Sequence, residues 1–485
     1  MERSKVIFGN QMSASAYRKA VKGKEKFIKK YGSDMDRVYH LTAAPAPAIG
    51  EPLGVQELKI SGKTGVEFND KSLVIGNIRM GFGHYRISMA IASAARSMGY
   101  DPYWFDLCSF SDTTCGKVIA GQNELYSLGS RISQKSVLFN KLLWEPLNSE
   151  GFRQLTYNCS DQKTAELMTP VFRDLPKDIP YVATHVWPSQ AAIHAGLTHV
   201  VNAIPDNWPM ALHLSEGAVH TVQTPSAYLG YRALRGMDKK RILKPMPKDS
   251  IVYTGQYIDH ELVSNIEYDC AKRVERAQKG KAVRWLMSVG GAGAQKEIFV
   301  SMIRRLLPLI EKGKAVLFIN VGDHKKVWEQ LKTEMPHMMP HVTEHFNDFD
   351  ETSAFAEQAI DGEVFGIHAF CHSDIFAAVY STNLLMRCSD VLITKPSELA
   401  FYPIPKLMIK RVGGHEAWGA IRAAEIGDGT YECSTPEETC GMMKLIQHNG
   451  DIIEKMCANI ITAKNAGVYD GAYKVVELAV SGNNR

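Results

Sequence analysis

The sequence predicts an α/β protein built as two Rossmann-like, doubly wound domains facing across a cleft. Three observations lead there. At 485 residues the chain exceeds one ordinary core, so length alone favours two or three domains. From Lys71 onward, short runs rich in Val and Ile alternate with segments of helical period, the pattern of a parallel sheet covered by helices. That alternation occurs twice, separated by a polar, basic connection from Cys270 to Lys281.

In the first series, residues 73–78, 103–107, 181–184, 199–204 and 218–224 read as strands. Between the first two, Ile87, Ala90, Ile91, Ala94, Ala95 and Met98 recur at helical spacing. The second series runs through a strand at 283–289, a helix at 295–311, and strands at 315–321, 391–394 and 406–409. Residues 347–381 are longer than the connection such a domain needs and read as an inserted surface element. They hold His368, Cys371, His372 and Asp374, four potential metal ligands in one cluster. Structural zinc sites pair ligands from two separated pieces of chain, so no metal site is expected.

Before the first series, residues 16–31 carry Arg18, Lys19, Lys22, Lys24, Lys26, Lys29 and Lys30 against one acid. This is either a solvated basic helix or a surface for an anionic membrane. Residues 40–52, rich in Ala and Pro, read as a linker. The expected division is a basic extension and linker at 1–70, a first domain at 71–262, a second at 263–465 with an insertion near 347–381, and a C-terminal helix at 466–485.

Hydrophobic residues at 45% and charged residues at 22% are globular values that argue against disorder. A net charge of +4, from 56 basic and 52 acidic side chains, predicts no general grip on nucleic acid. Nine cysteines without repeated short spacing suit reduced thiols in the cytoplasm, and no disulfide is expected. The N-terminus lacks the apolar core of a signal peptide, and no stretch reaches the roughly 18 apolar residues of a spanning helix. The expectation is a soluble or peripheral cytoplasmic protein.

Chemistry concentrates at the ends of strands. Arg79-Met80-Gly81-Phe82-Gly83-His84 closes the first strand, and its glycines permit close approach of backbone to a ligand. Arg86 stands where a dinucleotide fingerprint wants a third glycine, which disfavours a nicotinamide cofactor. His84, with a pKa near neutrality, suits proton abstraction. Ala203-Ile204-Pro205 leads to Asp206, which either orients His84, acts as base itself or caps a turn. In the second series Gly290 and Gly291 end one strand and Gly322 another, while Lys395-Pro396-Ser397-Glu398 and Gly413-Gly414-His415-Glu416 follow later ones.

This ordered series, with Thr184-His185-Val186-Trp187-Pro188, Thr224-Pro225-Ser226 and Tyr253-Thr254-Gly255-Gln256 between its members, resembles the monogalactosyldiacylglycerol synthase and diacylglycerol glucosyltransferase family. It is also similar to the lipid-linked GlcNAc transferase of peptidoglycan synthesis. The resemblance spans about 71–450 and implies a GT-B fold and inverting, metal-independent sugar transfer from a nucleotide sugar, a UDP-sugar in the family, to a hydroxyl acceptor, there a lipid. It implies no cofactor beyond that co-substrate.

Carried over by position, His84 becomes the base with Asp206 beside it. Gly81, Gly83, Gly290, Gly291, Gly322, Lys395, Ser397, Glu398, His415 and Glu416 become donor contacts, with Glu398 on the ribose. Two departures stand out. Asp323 replaces a usual arginine, and the glycine-rich diphosphate loop after Lys395 is missing, which leaves Ser397, a helix N-terminus and Lys395 to meet that charge. An epimerase or hydrolase on the same scaffold, and a non-catalytic binder that lost the loop, are the alternatives.

Overall fold

The structure, a computed structural model, describes residues 2–62, 65–135, 151–289 and 295–482. The first sheet has eight strands: β1 His40–Pro45, β2 Gln56–Ser61, β3 Ser72–Asn77, β4 Asp101–Asp106, β5 Tyr181–Ala183, β6 Val200–Ala203, β7 Val219–Val222 and β8 Ile251–Tyr253. They lie in the order β8-β7-β6-β5-β3-β4-β2-β1. Every pairing is parallel except β1 with β2.

The second sheet has six strands, β9 Val283–Ser288, β10 Ala315–Asn320, β11 Val342–Phe346, β12 Gly366–Cys371, β13 Val391–Thr394 and β14 Lys406–Met408, ordered β11-β12-β10-β9-β13-β14 and wholly parallel. Parallel strands covered on both faces bury both sets of side chains, which is why β3 and β10 are buried throughout and read as unbroken runs. Two such Rossmann-like domains give the GT-B architecture.

Strand order fixes where a ligand can sit. In the first sheet the chain moves from β3 outward to β4, then returns to place β5 on the other side of β3. In the second, β10 and β13 flank β9 in the same way. Crevices open at the carboxyl ends of strands where the order reverses, here between β3 and β5 and between β9 and β13.

Several expectations are corrected. The stretch read as a linker forms β1, and β2 follows it, because Leu41 and Leu58 are fully buried while the other positions of these two strands are partly or fully exposed. The basic segment is the helix Ala14–Tyr31, capped by Ser13 and docked along the helix Leu155–Ala165, with Ala20 buried and Phe27, Ile28 and Tyr31 packed on the core; it is no free extension. The polar connection near 270 is the helix Ile266–Gln278, which turns Ile266 and Cys270 inward.

The presumed insertion at 347–381 belongs to the second sheet. It supplies the helix Phe349–Asp361, then β12, which lies between β10 and β11, and the start of the helix Ile375–Cys388. His368 and Cys371 are strand residues there, with Ile367, Ala369 and Phe370 in the core. His368 Nδ1 lies 2.9 Å from His345 Nε2, and among the described residues no group of three His, Cys, Asp or Glu is placed to hold a metal. All nine cysteines are free.

The C-terminal helix, Gly471–Val480, returns to the first domain. It packs Ala472, Val475, Val476 and Ala479 into the same core as the helix Gly83–Ser97. Gly471 permits this: an added Cβ would lie 2.2 Å from the Gly255 carbonyl oxygen.

Candidate functional site

One wall of the cleft is built by the ends of β3 and β5. After β3 the chain passes through Gly81, at φ +81°, and enters the helix Gly83–Ser97, so His84 sits in its first turn, half-buried. Its Nδ1 donates to the Thr184 carbonyl, 2.6 Å away at the end of β5. Thr184 is itself held, its hydroxyl 2.8 Å from that of Ser88. A carbonyl only accepts, so neutral His84 carries its hydrogen on Nδ1 and its lone pair on Nε2. Burial pushes the His84 pKa below the ordinary histidine value, against smaller upward effects of the Thr184 bond and of Asp206 and Glu398. The ring is therefore neutral, with Nε2 as its acceptor.

Asp206 follows β6 on the same wall, 3.0 Å from Nε2 of His213. Burial acts to raise its pKa, but the contact and charge of His213, then His415 and His84, outweigh that and hold the carboxyl well below the usual range. With 35% of its side chain exposed it remains reachable from the cleft as an anion. It faces His84 electrostatically, while its direct partner is His213.

The opposite wall comes from the end of β13. Lys395 pairs with Glu416, whose other oxygen accepts the backbone N–H groups of Val412 and Gly413 at 2.7 and 3.2 Å. Desolvation opposes charging of both groups, yet their mutual attraction raises the Lys395 pKa and lowers that of Glu416. Glu416 thus closes its own loop around Lys395, its oxygens held by the lysine and two backbone N–H groups.

Ser397 and Glu398 do not begin a long helix. Glu398–Phe401 is a single 3-10 turn, and Ser397 makes no side-chain cap. One turn aligns too few peptide dipoles to hold a diphosphate, so the helix N-terminus expected there is absent. Gly419, in the helix Ala417–Ile426, allows that helix to press on the turn: an added Cβ would lie 2.5 Å from the Pro396 carbonyl oxygen.

Glu398 crosses the cleft. Its Oε2 lies 3.3 Å from where a Cβ on Gly83 would stand, and its Oε1 is 4.0 Å from Nε of Arg86. Arg86 is only 2% exposed although it starts from the first domain. Its guanidinium donates to Asn383 Oδ1 at 2.5 Å, the Val379 carbonyl at 3.3 Å and the Thr382 hydroxyl at 3.4 Å, all on the second domain. Gly83 and Arg86 therefore bring His84 and Glu398 to one place.

Gly322, at φ +60°, meets the other domain as well: a Cβ there would lie 2.6 Å from Phe82 Cε2. The Phe82 ring stacks on His324 at 5.5 Å, and Arg79 pairs with Asp323. The residue standing in for the usual arginine thus has its counter-charge on the facing loop. Further along, Trp208 and Trp418 face each other with centroids 5.8 Å apart. Gly290 and Gly291 lie outside the described residues.

The sequence reading missed His213 and the structural role of Arg86, and quoted His185 only as part of a turn. His213 offered no signal, lying in an unremarkable 3-10 turn, Ala211–His213. For Arg86 the signal was present, since a charged residue on the buried face of an apolar helix must have partners.

Residues 6–233 match a family model described as a domain of unknown function, DUF6937, and residues 246–480 match a second, DUF6938. Each half has its own family model. The second match includes β8 and the helix Gly471–Val480, which belong spatially to the first domain. No curated protein matches the sequence.

Among solved structures, the chain is similar to UDP-GlcNAc 2-epimerase from Neisseria meningitidis, at 12% identity over 84% of this chain and 98% of that one, with a TM-score of 0.44. It is similar to α,α-trehalose 6-phosphate synthase from Burkholderia multivorans, at 12% identity over 85% and 98%, with a TM-score of 0.45. A glycosyltransferase from Rickettsia africae is matched at 11% identity over 85% and 100%, with a TM-score of 0.34. At such scores the fold assignment rests on the two sheets themselves.

Proposed function

We propose that the protein is a nucleotide-sugar-dependent glycosyltransferase acting with inversion on a hydroxyl acceptor. The observation that carries this reading is the meeting of His84, neutral and with Nε2 free, with Glu398 from the opposite domain at Gly83. His84 Nε2 takes the acceptor proton while the acceptor oxygen attacks the anomeric carbon from the first domain's side. The bond to the diphosphate breaks, and its electron pair leaves with the nucleotide into the second domain. Glu398, 23% exposed, accepts ribose hydroxyls, and Lys395 meets diphosphate charge by exchanging Glu416 for the ligand. Asp206 steadies the charge that His84 gains.

Within this reading the donor is a UDP-sugar and the acceptor a lipid. The helix Ala14–Tyr31 supports a lipid surface, because its outer face exposes Arg18, Lys19, Lys22, Lys26, Lys29 and Lys30. No helix of the described residues is long and apolar enough to cross a membrane.

A second reading, epimerisation of a nucleotide sugar, is favoured by the extra titratable groups that His185, His213 and Asp206 add around the sugar position. A thermal-shift panel of UDP-, GDP- and dTDP-sugars, followed by product analysis with and without acceptor, separates the readings. Transfer needs an acceptor and epimerisation needs none. Stabilisation without any product leaves a binder and ends both enzymatic readings.

A further inference from the structure

The turn after β5 fixes two imidazoles in opposite tautomers. Thr184 accepts from Nδ1 of His84, as above. One residue later, His185 caps the helix Val186–His194 by accepting the Trp187 N–H on its own Nδ1, at 3.2 Å. A backbone N–H only donates, so His185 has its lone pair on Nδ1 and its hydrogen on Nε2. A proton on Nδ1 of His185 would face the Trp187 N–H and abolish the cap. Burial, then the nearby His84 and His213, pushes the His185 pKa well below the ordinary value, which keeps the ring neutral.

The two rings meet edge to face with centroids 4.8 Å apart. Among the described residues no protein group is bonded to either Nε2. With both Nδ1 atoms anchored to backbone, the pair offers a ligand one acceptor and one donor. A hydroxyl matches both, since it donates its hydrogen and accepts on its oxygen.

We propose that His84 and His185 form a hydroxyl subsite in which Nε2 of His84 accepts the O–H hydrogen and the Nε2–H of His185 donates to the same oxygen, making His185 a second catalytic residue. The proposal rests on the sugar-transfer reading of this cleft and specifies its acceptor side. In the step, the O–H bond breaks and its proton passes to His84 Nε2. The oxygen's electron pair forms the bond to the anomeric carbon, and the bond from that carbon to the diphosphate breaks with its pair leaving on the diphosphate. His185 keeps its own proton throughout and stabilises negative charge on the oxygen as the O–H bond breaks. The same subsite accepts water, giving slow hydrolysis where no other hydroxyl is bound.

Two variants separate the donor from the cap. In His185→Asn, Oδ1 still accepts the Trp187 N–H, asparagine being a favoured N-cap, but nothing donates from the Nε2 position. In His185→Gln an amide N–H reaches the Nε2 position while the cap is weakened. With UDP-glucose as donor and glycerol as hydroxyl probe, kcat for UDP release is expected to fall about a hundredfold in His185→Asn at unchanged thermal stability. His185→Gln should stay within about threefold of wild type in kcat, while its melting temperature drops. Wild-type turnover in His185→Asn, or equal loss in both variants, overturns the proposal.

A second measurement does not need turnover. Long-range 1H–15N spectra of histidine-labelled protein, assigned with the variants, should show hydrogen on Nε2 of His185 and on Nδ1 of His84 at pH 7, and glycerol should move both Nε2 resonances together. The reverse tautomer on His185, or no response to glycerol, overturns the subsite even if sugar transfer is found. If wild type releases no nucleotide from any sugar donor that stabilises it, the transfer reading fails, and these spectra alone then decide whether the hydroxyl subsite exists.

Discussion

The two walls of the cleft present different groups to a ligand. On the first domain, His84 and His185 are neutral, each anchored to backbone through Nδ1 with Nε2 left open. On the second, Lys395 is joined to Glu416 and Glu398 lies beside Arg86, so each charge has a protein partner. A neutral imidazole held by backbone is ready for proton transfer without rearrangement. An ion pair in a cleft stores binding groups that a charged ligand must prise apart, so ligand affinity is the difference between two sets of pairings. In the transfer proposed above, the first wall carries the chemistry and the second the recognition.

The most severe test of that contrast is His84→Ala. Turnover of the best UDP-sugar is expected to fall by about 10²–10⁴, with the thermal shift produced by that UDP-sugar unchanged. Equal loss of binding would place His84 on the recognition side and dissolve the comparison. The pH profile sharpens the same point. A base whose pKa is depressed stays deprotonated as pH falls below about 6.5, so kcat/KM should hold its plateau there and decline only at lower pH. An acid limb at or above the ordinary histidine value would contradict burial as the controlling influence.

Arg86→Met removes the cation that ties the domains together and leaves Glu398 and Asn383 without it. Urea unfolding should register a loss of about 3 kcal/mol. No loss would mean that the domains are held without Arg86, by the Arg79–Asp323 pair and apolar contacts. A smaller effect is expected for Glu398→Ala: roughly tenfold weaker UDP-sugar binding by calorimetry, with kcat little changed. The least change should come from Glu416→Gln, which keeps an acceptor for the Val412 and Gly413 N–H groups while releasing Lys395. Pyrophosphate is expected to bind about threefold more tightly to this variant. Weaker binding would show that Glu416 supports the loop more than it competes for the lysine.

Much of the fold was legible because central parallel strands must be apolar on both faces. Val391–Thr394 appears at the bounds expected for it, and β3, β9 and β10 lie within a residue of theirs at each end. The strands that escaped notice are β1, β2, β8, β11 and β12. β1 and β2 lie toward a sheet edge and keep wet positions, while β12 hid its Ile, Ala and Phe among residues that look like metal ligands. In the candidate site, His84 and Glu398 were legible as strand-end residues because each sits in a local strand-to-turn signature. The partners of Glu416, Lys395 and two backbone N–H groups, cannot be inferred from a loop motif.

The sequence by itself determined the two-domain α/β class, the strand ends that face the cleft and the residue types gathered there, because periodicity and turn chemistry are local. Only the tertiary structure decided which of those residues meet. Arg86 finds Asn383 across 297 residues of chain, and His84 takes its tautomer from a carbonyl 100 residues away. Such pairings depend on where buried donors and acceptors come to rest once water is excluded, and each partner's chemistry is fixed by a group that the neighbouring sequence does not contain.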